Sequence, residues 1–367
     1  MSLQRFLWFI KVKIYLIRQI ALVFLILRLL IFMSETKQIF IVGSSRSGTT
    51  MMGRILGTSN RIFTFNELHF FGTLWTNNSH QKLSKNSQIE LLSKLLCIQD
   101  NGLFNKNNFT DYHYKSKLLL GEGFKSPIDI YRLFLDNLTL ENYAEISCEQ
   151  TPQNVYYLEE ILHHFPNAKV INLVRDQRDV LLSQKFKWRR KFLGAKSIPL
   201  IEAIRSYVNY HPILTAKVWN SSLSYTTNYL DHPQVKIVKF EDLLKDPKRI
   251  VNDICSFIDI DFQEKMLNIP VIGSSTENDT SSDFYIDSSK ICKWKNGGLS
   301  ESEIYLSQKF SSKMMDRFGY KKQVFSSPPL GIIFQIIIFP FKLAVSFILN
   351  IHRMGSVLEV ISKRFII

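Results

Sequence analysis

The sequence predicts an α/β protein, a P-loop-like three-layer fold with a central parallel sheet flanked by helices. Two segments carry this prediction, because in each a short apolar run leads through a polar loop into a helical pattern; they are residues 38–56 and 169–191. A further apolar run, Val235 to Phe240, comes before a helical pattern from about Lys248 to Ile258. Apolar N- and C-terminal membrane-associating helices complete the predicted architecture.

The remaining elements follow from local composition. Short β-like runs are predicted at residues 61–65 and 144–149, and residues 72–118 are predicted to form a helical cap or insertion that acts as a lid over the acceptor. Further helices are predicted at residues 153–164, 198–230 (interrupted at Pro212) and 300–318. Proline near the first turn favours the start of the first of these, at Thr151-Pro152.

The first strand-loop-helix segment, QIFIVGSSRSGTT, has the spacing of a phosphate-binding loop. Four residues separate Gly43 from Gly48, and Thr49-Thr50 then open the helix, as in a Walker A loop with threonine in place of its lysine. Backbone N–H groups and the positive end of a helix dipole converge on phosphate in such a loop. The cation lies inside the loop, at Arg46, which favours a nucleotide phosphate and argues against an ordinary ATPase or GTPase.

Charge and cysteine usage narrow the class of protein further. The formal net charge is +14, and basic residues outnumber acidic ones five to one in residues 1–36 and six to one in residues 321–367. The middle of the chain is only mildly basic, so the sequence predicts no nucleic-acid partner. The four cysteines are widely spaced without a CxxC pair, which favours reduced thiols in a cytosol-facing protein over a zinc site.

Both basic ends are also the most apolar parts of the chain, which indicates contact with a membrane surface. Residues 6–33 are interrupted by four basic residues, and their longest uncharged stretch, Gln19 to Leu27, is far shorter than the ~20 residues of a span. We interpret them as an interfacial anchor, with a tilted single span as the alternative. Pro340 and Lys342 interrupt the tail, which favours a surface or re-entrant segment over a clean span.

Three segments in the right order resemble the sulfotransferases that use 3'-phosphoadenosine 5'-phosphosulfate (PAPS), in the branch of tyrosylprotein and bacterial carbohydrate sulfotransferases. They are FIVGSSRSGTT, FPNAKVINLVRDQRDVLLS (Phe165 to Ser183), and VKFEDLLKDP with a later Lys293-Trp294. The resemblance covers roughly residues 37–320. It divides the chain into an anchor (1–36), a sulfotransferase domain (37–325) and a membrane-associated tail (326–367).

The resemblance implies a role for each site residue. Arg46, Ser47, Gly48, Thr49 and Thr50 would hold the 5'-phosphosulfate, Arg175 and Ser183 the 3'-phosphate, and Lys293 and Trp294 would contribute to the nucleotide site. Arg46 would also stabilise the leaving group. Glu67 is the expected base on the acceptor, with His69 as the alternative. PAPS is the expected co-substrate, and no metal is expected. The basic run Lys185 to Lys191 is either a surface that attracts an acidic acceptor or a solvated helix face.

One position departs from the family pattern. Gln150 stands where the family commonly has a lysine that stabilises the leaving group, so Lys125, Lys293 or Arg46 would have to compensate. The main function is predicted to be transfer to a hydroxyl or amine of a glycan, glycolipid or other membrane-proximal acceptor, including a polypeptide. The alternatives are a pseudoenzyme that only binds PAPS and, less favoured, a P-loop NTPase or kinase. The catalytic domain is expected in the cytoplasm of a microbe or in the Golgi lumen of a eukaryote.

Overall fold

The computed structural model describes residues 36–75, 81–193, 195, 198–271, 280–351 and 356–365. Apart from Thr36, the predicted N-terminal anchor therefore lies outside the described residues.

A five-stranded parallel sheet forms the centre of the domain, in the order β2-β3-β1-β4-β5. The strands are β1 (Lys37–Gly43), β2 (Ile62–Thr64), β3 (Ile146–Glu149), β4 (Lys169–Val174) and β5 (Val235–Lys239). The predicted central parallel sheet is confirmed. A separate antiparallel pair consists of β6 (Pro270–Val271) and β7 (Thr280–Phe284).

Helices cover both faces of the sheet. They are α1 (Thr49–Gly57), α2 (Lys85–Asn101), α3 (His113–Leu120), α4 (Pro127–Glu141), α5 (Leu158–His164), α6 (Gln177–Lys185), α7 (Leu200–Val208), α8 (Pro212–Thr227), α9 (Phe240–Lys245), α10 (Pro247–Phe257), α11 (Glu301–Arg317), α12 (Ile332–Asn350) and α13 (Val357–Phe365). Short 3-10 helices occupy Leu103–Tyr112, Pro152–Tyr157, Lys187–Lys191, Glu264–Leu267, Ser288–Lys290 and Lys293–Asn296.

The central strand β1 is buried on both faces, which explains its unbroken apolar run. Phe40 and Val42 point into a core cluster that they share with α2, α4 and α5. Ile39 and Ile41, one residue out of phase, point into a second cluster with α1 and α10. The alternation of strand side chains thus builds two helical layers on one sheet, and the predicted three layers are confirmed.

Two predicted helices differ from the observed ones. The helix expected to continue to Lys191 ends at Lys185, and a 3-10 helix, Lys187–Lys191, follows it. Similarly, residues 152–157 form a 3-10 helix before α5 begins at Leu158. The apolar spacings of the two helix types are too similar for sequence periodicity to separate them. The predicted break at Pro212 is present, since α7 ends at Val208 and α8 begins at Pro212.

The apolar tail forms α12, which is attached to the domain through polar residues. Lys342 Nζ donates to the Tyr210 carbonyl at 3.0 Å, and both Ser346 Oγ (2.7 Å) and Asn350 Nδ2 (2.9 Å) donate to Asn209 Oδ1. These three tail residues lie four apart and therefore share one side of the helix. By its length and composition, α12 could cross a membrane; it is the one helix in the described part of the chain that meets both criteria.

At Gly43, strand β1 leaves no room for a side chain beside β4. This residue has a φ of +145°, and a Cβ placed on it would lie 2.3 Å from the Leu173 carbonyl oxygen. We expect Gly43→Ala to lower the free energy of unfolding by roughly 2–4 kcal/mol, because the methyl group meets backbone that cannot move without breaking the sheet. Urea-induced unfolding followed by circular dichroism measures the loss.

Gly102→Ala is the matched control for this substitution. Gly102 also has positive φ, +77°, but an added Cβ meets no atom within 4 Å. Only backbone strain, of roughly 1–3 kcal/mol, is then expected, because φ +77° with ψ 163° is a combination that almost only glycine adopts, and the loss should be smaller than that of Gly43→Ala, which adds a clash. Equal losses in the two variants would show that the contact between β1 and β4 does not limit stability.

Candidate active site

A cavity of about 1490 Å³ opens at the carboxyl ends of the strands. Its wall includes the loop after β1, Arg175 directly after β4 and Phe240 directly after β5. Ligands of open parallel sheets bind at this edge. The two strand-loop-helix segments found in the sequence therefore meet at one site.

The loop after β1 is tightly folded and directs the start of α1 at the cavity. Arg46 and Gly48 both have positive φ, +74° and +95°. The Ser47 N–H donates to the Ser44 carbonyl at 3.2 Å, and the hydroxyls of the same two serines are 2.5 Å apart. Ser47 is consequently buried inside the loop, whereas Arg46, Gly48, Thr49 and Thr50 line the cavity.

The two predicted phosphate sites are joined by direct hydrogen bonds. Arg46 Nε donates to Ser183 Oγ at 2.8 Å, which links the loop after β1 to α6. Arg175 donates from one terminal nitrogen to the Arg46 carbonyl at 3.1 Å and from the other to the Lys290 carbonyl at 3.3 Å. The residues predicted for the 5'-phosphosulfate and for the 3'-phosphate thus contact one another.

The guanidinium of Arg175 is held in place by an aromatic ring and a buried backbone. The guanidinium lies 4.3 Å from the ring centroid of Phe240. The backbone carbonyl of Arg175 accepts a hydrogen bond from Trp219 Nε1 at 3.0 Å. The Nε atom of Arg175 is buried and has no hydrogen-bond partner among the described residues. Burial lowers the pKa of Arg175, although the carboxylates of Asp179 and Glu241 oppose that shift. A buried donor without a partner suits an anion that would accept from it.

The acidic and basic residues after Arg175 have structural partners. Arg178 forms two hydrogen bonds with the carboxylate of Asp176, at 3.0 and 2.7 Å, and its guanidinium lies 4.0 Å from the Trp294 ring centroid. Asp179 Oδ1 accepts from the Trp294 N–H at 2.9 Å, and burial raises the pKa of this carboxyl to about 6. These contacts attach the start of α6 to the segment that contains Lys293.

Lys293 and Trp294 are adjacent but differ in position. Lys293 lines the cavity, whereas the Trp294 ring packs in a small core cluster with Leu182 and Ile304. Trp294 therefore contacts the site through Asp179 and Arg178. Its predicted contribution to the nucleotide site stays a prediction.

The predicted base, Glu67, lines the cavity and is 43% exposed. Its Oε2 lies 3.4 Å from His69 Nε2. His69 has a φ of +51°, so the two side chains meet through a left-handed turn and not through the extended segment expected from the sequence. Burial raises the pKa of Glu67, but the hydrogen bond to His69 and the charges of His69, Lys187 and Arg46 outweigh it and lower the pKa overall.

A buried carboxylate that the sequence did not single out holds the segment containing Glu67. Glu149, at the end of β3, is 1% exposed and accepts from the Leu68 N–H (3.4 Å), the Thr151 N–H (3.2 Å) and Asn154 Nδ2 (2.6 Å). Thr151 Oγ1 in turn accepts from the His69 N–H at 3.2 Å. Burial raises the pKa of Glu149 to about 7.

Gln150, the residue at the family's lysine position, is not among the described residues that line the cavity. It is 8% exposed and packs against α1, where a Cβ on Gly53 would lie 2.8 Å from its Oε1. Lys125 donates to the Glu122 carbonyl and is absent from the cavity wall as the described residues form it. Of the three cations expected to compensate for Gln150, Lys293 and Arg46 line the cavity.

Several further cations line the cavity, and two of them come from the basic run after α6. Lys187 and Arg190 belong to the 3-10 helix after α6, in the basic run whose function was left open. Burial and the charge of Arg46 lower the pKa of Lys187 to about 8, although Glu67 raises it. Burial, Arg190 and Arg175 likewise lower the pKa of Arg46. The cations are therefore close enough to repel one another, which is typical of a site for a multiply charged anion.

Among the described residues, no group of three or more histidine, cysteine, aspartate or glutamate side chains could hold a metal ion.

A family model described as the Sulfotransferase family matches residues 38–264, more than half of the chain. The chain belongs to the sulfotransferase family. Its membership confirms the predicted enzyme class, a PAPS-dependent sulfotransferase, and PAPS as co-substrate. The matched residues include Arg46, Glu67, Arg175 and Ser183, while Lys293 and the apolar tail lie beyond them.

Solved structures resemble this sulfotransferase at low sequence identity. The sulfotransferase domain of the curacin biosynthetic pathway is 19% identical, with 78% of this chain and 99% of that chain covered and a TM-score of 0.46. The sulfotransferase domain of the Synechococcus PCC 7002 olefin synthase is 21% identical (79% and 97% covered, TM-score 0.45). Mouse sulfotransferase SULT7A1, complexed with PAP, is 13% identical (76% and 85% covered, TM-score 0.42). Comparison with curated proteins gives no match.

The lowered pKa of Lys187 makes anion binding by the sulfotransferase dependent on pH. A bound phosphate favours the ammonium form and raises the pKa of Lys187 above about 8, so binding takes up a proton at higher pH. We expect the affinity for PAP, the desulfonated product, to fall as pH rises from about 8 toward 10, by up to roughly tenfold per pH unit. Isothermal titration calorimetry across this range measures the effect.

Two substitutions isolate the lysine. Lys187→Met should lower the affinity near neutral pH and flatten the profile, because no ammonium remains to titrate. Lys187→Arg should keep the affinity and also flatten the profile, because guanidinium stays charged throughout. An unchanged profile in both variants would assign the pH dependence to another group.

Proposed function

We propose that this sulfotransferase transfers the sulfuryl group of PAPS to a hydroxyl or amine of a glycan, glycolipid or other membrane-proximal acceptor. The observation that carries the proposal is the hydrogen bond from Arg46 to Ser183, with Arg175 against the Arg46 carbonyl. It brings two anion-binding segments to one cavity. PAPS carries phosphate at both ends of an adenosine, so a donor site of this kind needs two such segments.

In this proposal the cavity residues divide between the two ends of PAPS. Arg175 and Ser183 hold the 3'-phosphate, since a guanidinium donates parallel hydrogen bonds to phosphate oxygens. The N-terminal amides of α1, with Gly48, Thr49 and Thr50, hold the 5'-phosphosulfate. Ser47 acts from inside the loop, by fixing its fold through Ser44. Lys293 adds positive charge to the same wall.

The transfer itself is an in-line displacement on sulfur. The acceptor oxygen or nitrogen forms a bond to sulfur, the bond from sulfur to the bridging phosphate oxygen breaks, and PAP leaves with that electron pair. Glu67 takes the proton of the acceptor group, and its lowered pKa keeps it ionised for this role at neutral pH. Arg46 and Lys187 stabilise the charge that develops on the leaving oxygen.

Lys187 also bears on the alternative function, a pseudoenzyme that binds PAPS without transfer. Gln150 was the main support for that alternative, because it brings no positive charge. The position of Lys187 in the cavity wall, beside Arg46 and Glu67, supplies a cation from a different element. We therefore favour the active enzyme and treat binding without transfer as an outcome of the experiments.

Membrane association of the tail is part of the proposal. The hydrogen bonds of α12 to the domain extend from Gln335, whose carbonyl contacts His211 Nε2 at 3.0 Å, to Asn350. Fifteen residues of helix measure roughly 22 Å, so most of α12 runs along the domain. This arrangement favours a helix that lies in the membrane surface with the domain over one that crosses the bilayer.

The assignment of Arg175 to the 3'-phosphate has a specific test. PAP and adenosine 5'-phosphate differ only by the 3'-phosphate. We expect Arg175→Met to lower the affinity for PAP by roughly 100-fold, the loss of two charge-assisted hydrogen bonds, and to change the affinity for adenosine 5'-phosphate by less than about threefold. Calorimetric titration with both nucleotides gives the ratio.

The ratio distinguishes a lost ligand from a disturbed fold, because Arg175 also contacts the Arg46 carbonyl. Ser183→Ala leaves Arg175 in place and should lower the affinity for PAP by a smaller factor, roughly fivefold. If Arg175→Met weakened both nucleotides equally, Arg175 would act through the loop and not on the 3'-phosphate.

The assignment of Glu67 as base is tested by measuring nucleotide binding and sulfuryl transfer separately in one variant. We expect Glu67→Gln to reduce transfer by at least about 100-fold while PAP affinity stays within about threefold, because a glutamine cannot accept the proton. The readout is incorporation of radiolabelled sulfate from PAPS into an extract of cells that lack the protein, which supplies the natural acceptors.

His69→Gln is the control, since His69 contacts Glu67 and is the alternative base. Loss of transfer in His69→Gln with normal transfer in Glu67→Gln would assign the base to His69. Wild-type protein that binds PAP but labels no acceptor in the extract would support the pseudoenzyme.

A further inference from the structure

The cavity is larger than the donor nucleotide needs. Its volume of about 1490 Å³ exceeds the roughly 300–1,000 Å³ of pockets that hold one small ligand. The phosphate-binding residues occupy one end. The other end is walled by α7, α8 and the tail helix α12, and we call it the tail groove.

The tail groove has an apolar part beside a polar part, since α7 and α8 also bring Glu202, Arg205 and Lys217 to the cavity wall. To the apolar part α12 contributes Phe339, Leu343 and Phe347, four residues apart and so on one side of the helix. Leu214 and Val218 of α8 line the same cavity and are also four residues apart. The apolar part of the groove can therefore accept a hydrocarbon chain.

The orientation of α12 is set by its polar side. Lys342 and Ser346 attach the helix to the end of α7, and the pKa of Lys342 is lowered, mainly by burial. The opposite side presents Ile337, Phe341 and Ile348 outward, with 61%, 69% and 66% exposed. One side of α12 thus contacts the domain, a second lines the groove and a third faces outward as an apolar surface.

We propose that the acceptor is an amphiphile, whose hydrocarbon chain lies in the tail groove while its hydroxyl headgroup reaches Glu67. This inference rests on the proposed function and narrows its acceptor to a lipid-linked molecule. The continuity of one cavity from Arg46 to Phe347 supports it. The apolar outer side of α12 allows the chain to pass from a bilayer into the groove without contact with water, so the tail helix is a wall of the acceptor site.

The test uses the full-length protein loaded with PAP. The probe is dodecyl β-glucoside with a photoreactive diazirine at the end of its chain, added below the concentration at which it forms micelles. After irradiation, mass spectrometry maps the labelled peptides. We expect label on α8 and on the groove side of α12, reduced by excess unlabelled dodecyl β-glucoside and not by methyl β-glucoside.

A pair of double variants gives a matched control on one helix. Leu343→Asn with Phe347→Asn changes the groove side, and Phe341→Asn with Val345→Asn changes the outer side. Leu343 and Val345 are similarly exposed, at 43% and 46%. We expect the groove variant to lose labelling by roughly tenfold or more, because two apolar contacts to the chain are removed, and the outer variant by less than about twofold.

Each result has a defined meaning. Equal losses in the two variants, or label confined to the outer side of α12, would overturn the tail groove. Binding of PAP is followed in the same samples by thermal shift. Failure of PAP to bind would contradict the proposed function, whereas normal PAP binding without competed label in the groove would contradict this inference alone.

Discussion

Repulsion between cations in one cavity is the constraint on which the site depends. Arg46, Arg175, Lys187 and Arg190 line a shared space, and their burial and mutual charge lower the pKa values of Arg46 and Lys187. The fold opposes this repulsion with fixed contacts, chiefly the hydrogen bond from Arg46 to Ser183. Such a site is costly when empty and is stabilised by an anion, because a ligand that binds only the folded state adds its binding energy to stability.

Much of the fold could be predicted from the sequence because its signals are local. The apolar run of β1, the glycine-bounded loop and the start of α1 are contiguous, and β4 and β5 repeat the same order. The order of the strands in the sheet could not be predicted in the same way, because it depends on contacts between residues that are far apart in the chain. Gly43 is visible in the sequence, but the reason that a glycine is needed there is not. A side chain at this position would collide with the Leu173 carbonyl of β4, a contact that only the folded structure reveals.

A site residue can be located from the sequence where it lies in a loop of known form, and not where its direction depends on packing. The loop spacing singled out Arg46 and the family resemblance singled out Arg175 and Ser183; hydrogen bonds link the three, and their roles stay predictions. For Lys187 the sequence left two alternatives open, a surface that attracts an acidic acceptor or a solvated helix face, because it cannot show that α6 changes to a 3-10 helix and places this lysine in the cavity wall. Gln150 drew attention by analogy, yet its side chain packs on Gly53.

The segment after β5 contributes an aromatic ring that lies against both of the predicted phosphate-binding segments. Phe240 lies 4.3 Å from the Arg175 guanidinium, and a Cβ on Gly48 would meet its ring at 2.5 Å. Contact residues that share a neighbour have non-additive energies. In the donor site we propose, a ring shared in this way couples the two ends of PAPS, so that occupation of the proposed 3'-phosphate site would change the affinity of the loop proposed to hold the reacting sulfur. Cooperativity between the ends of a single small molecule, transmitted through one phenyl ring, would be the consequence.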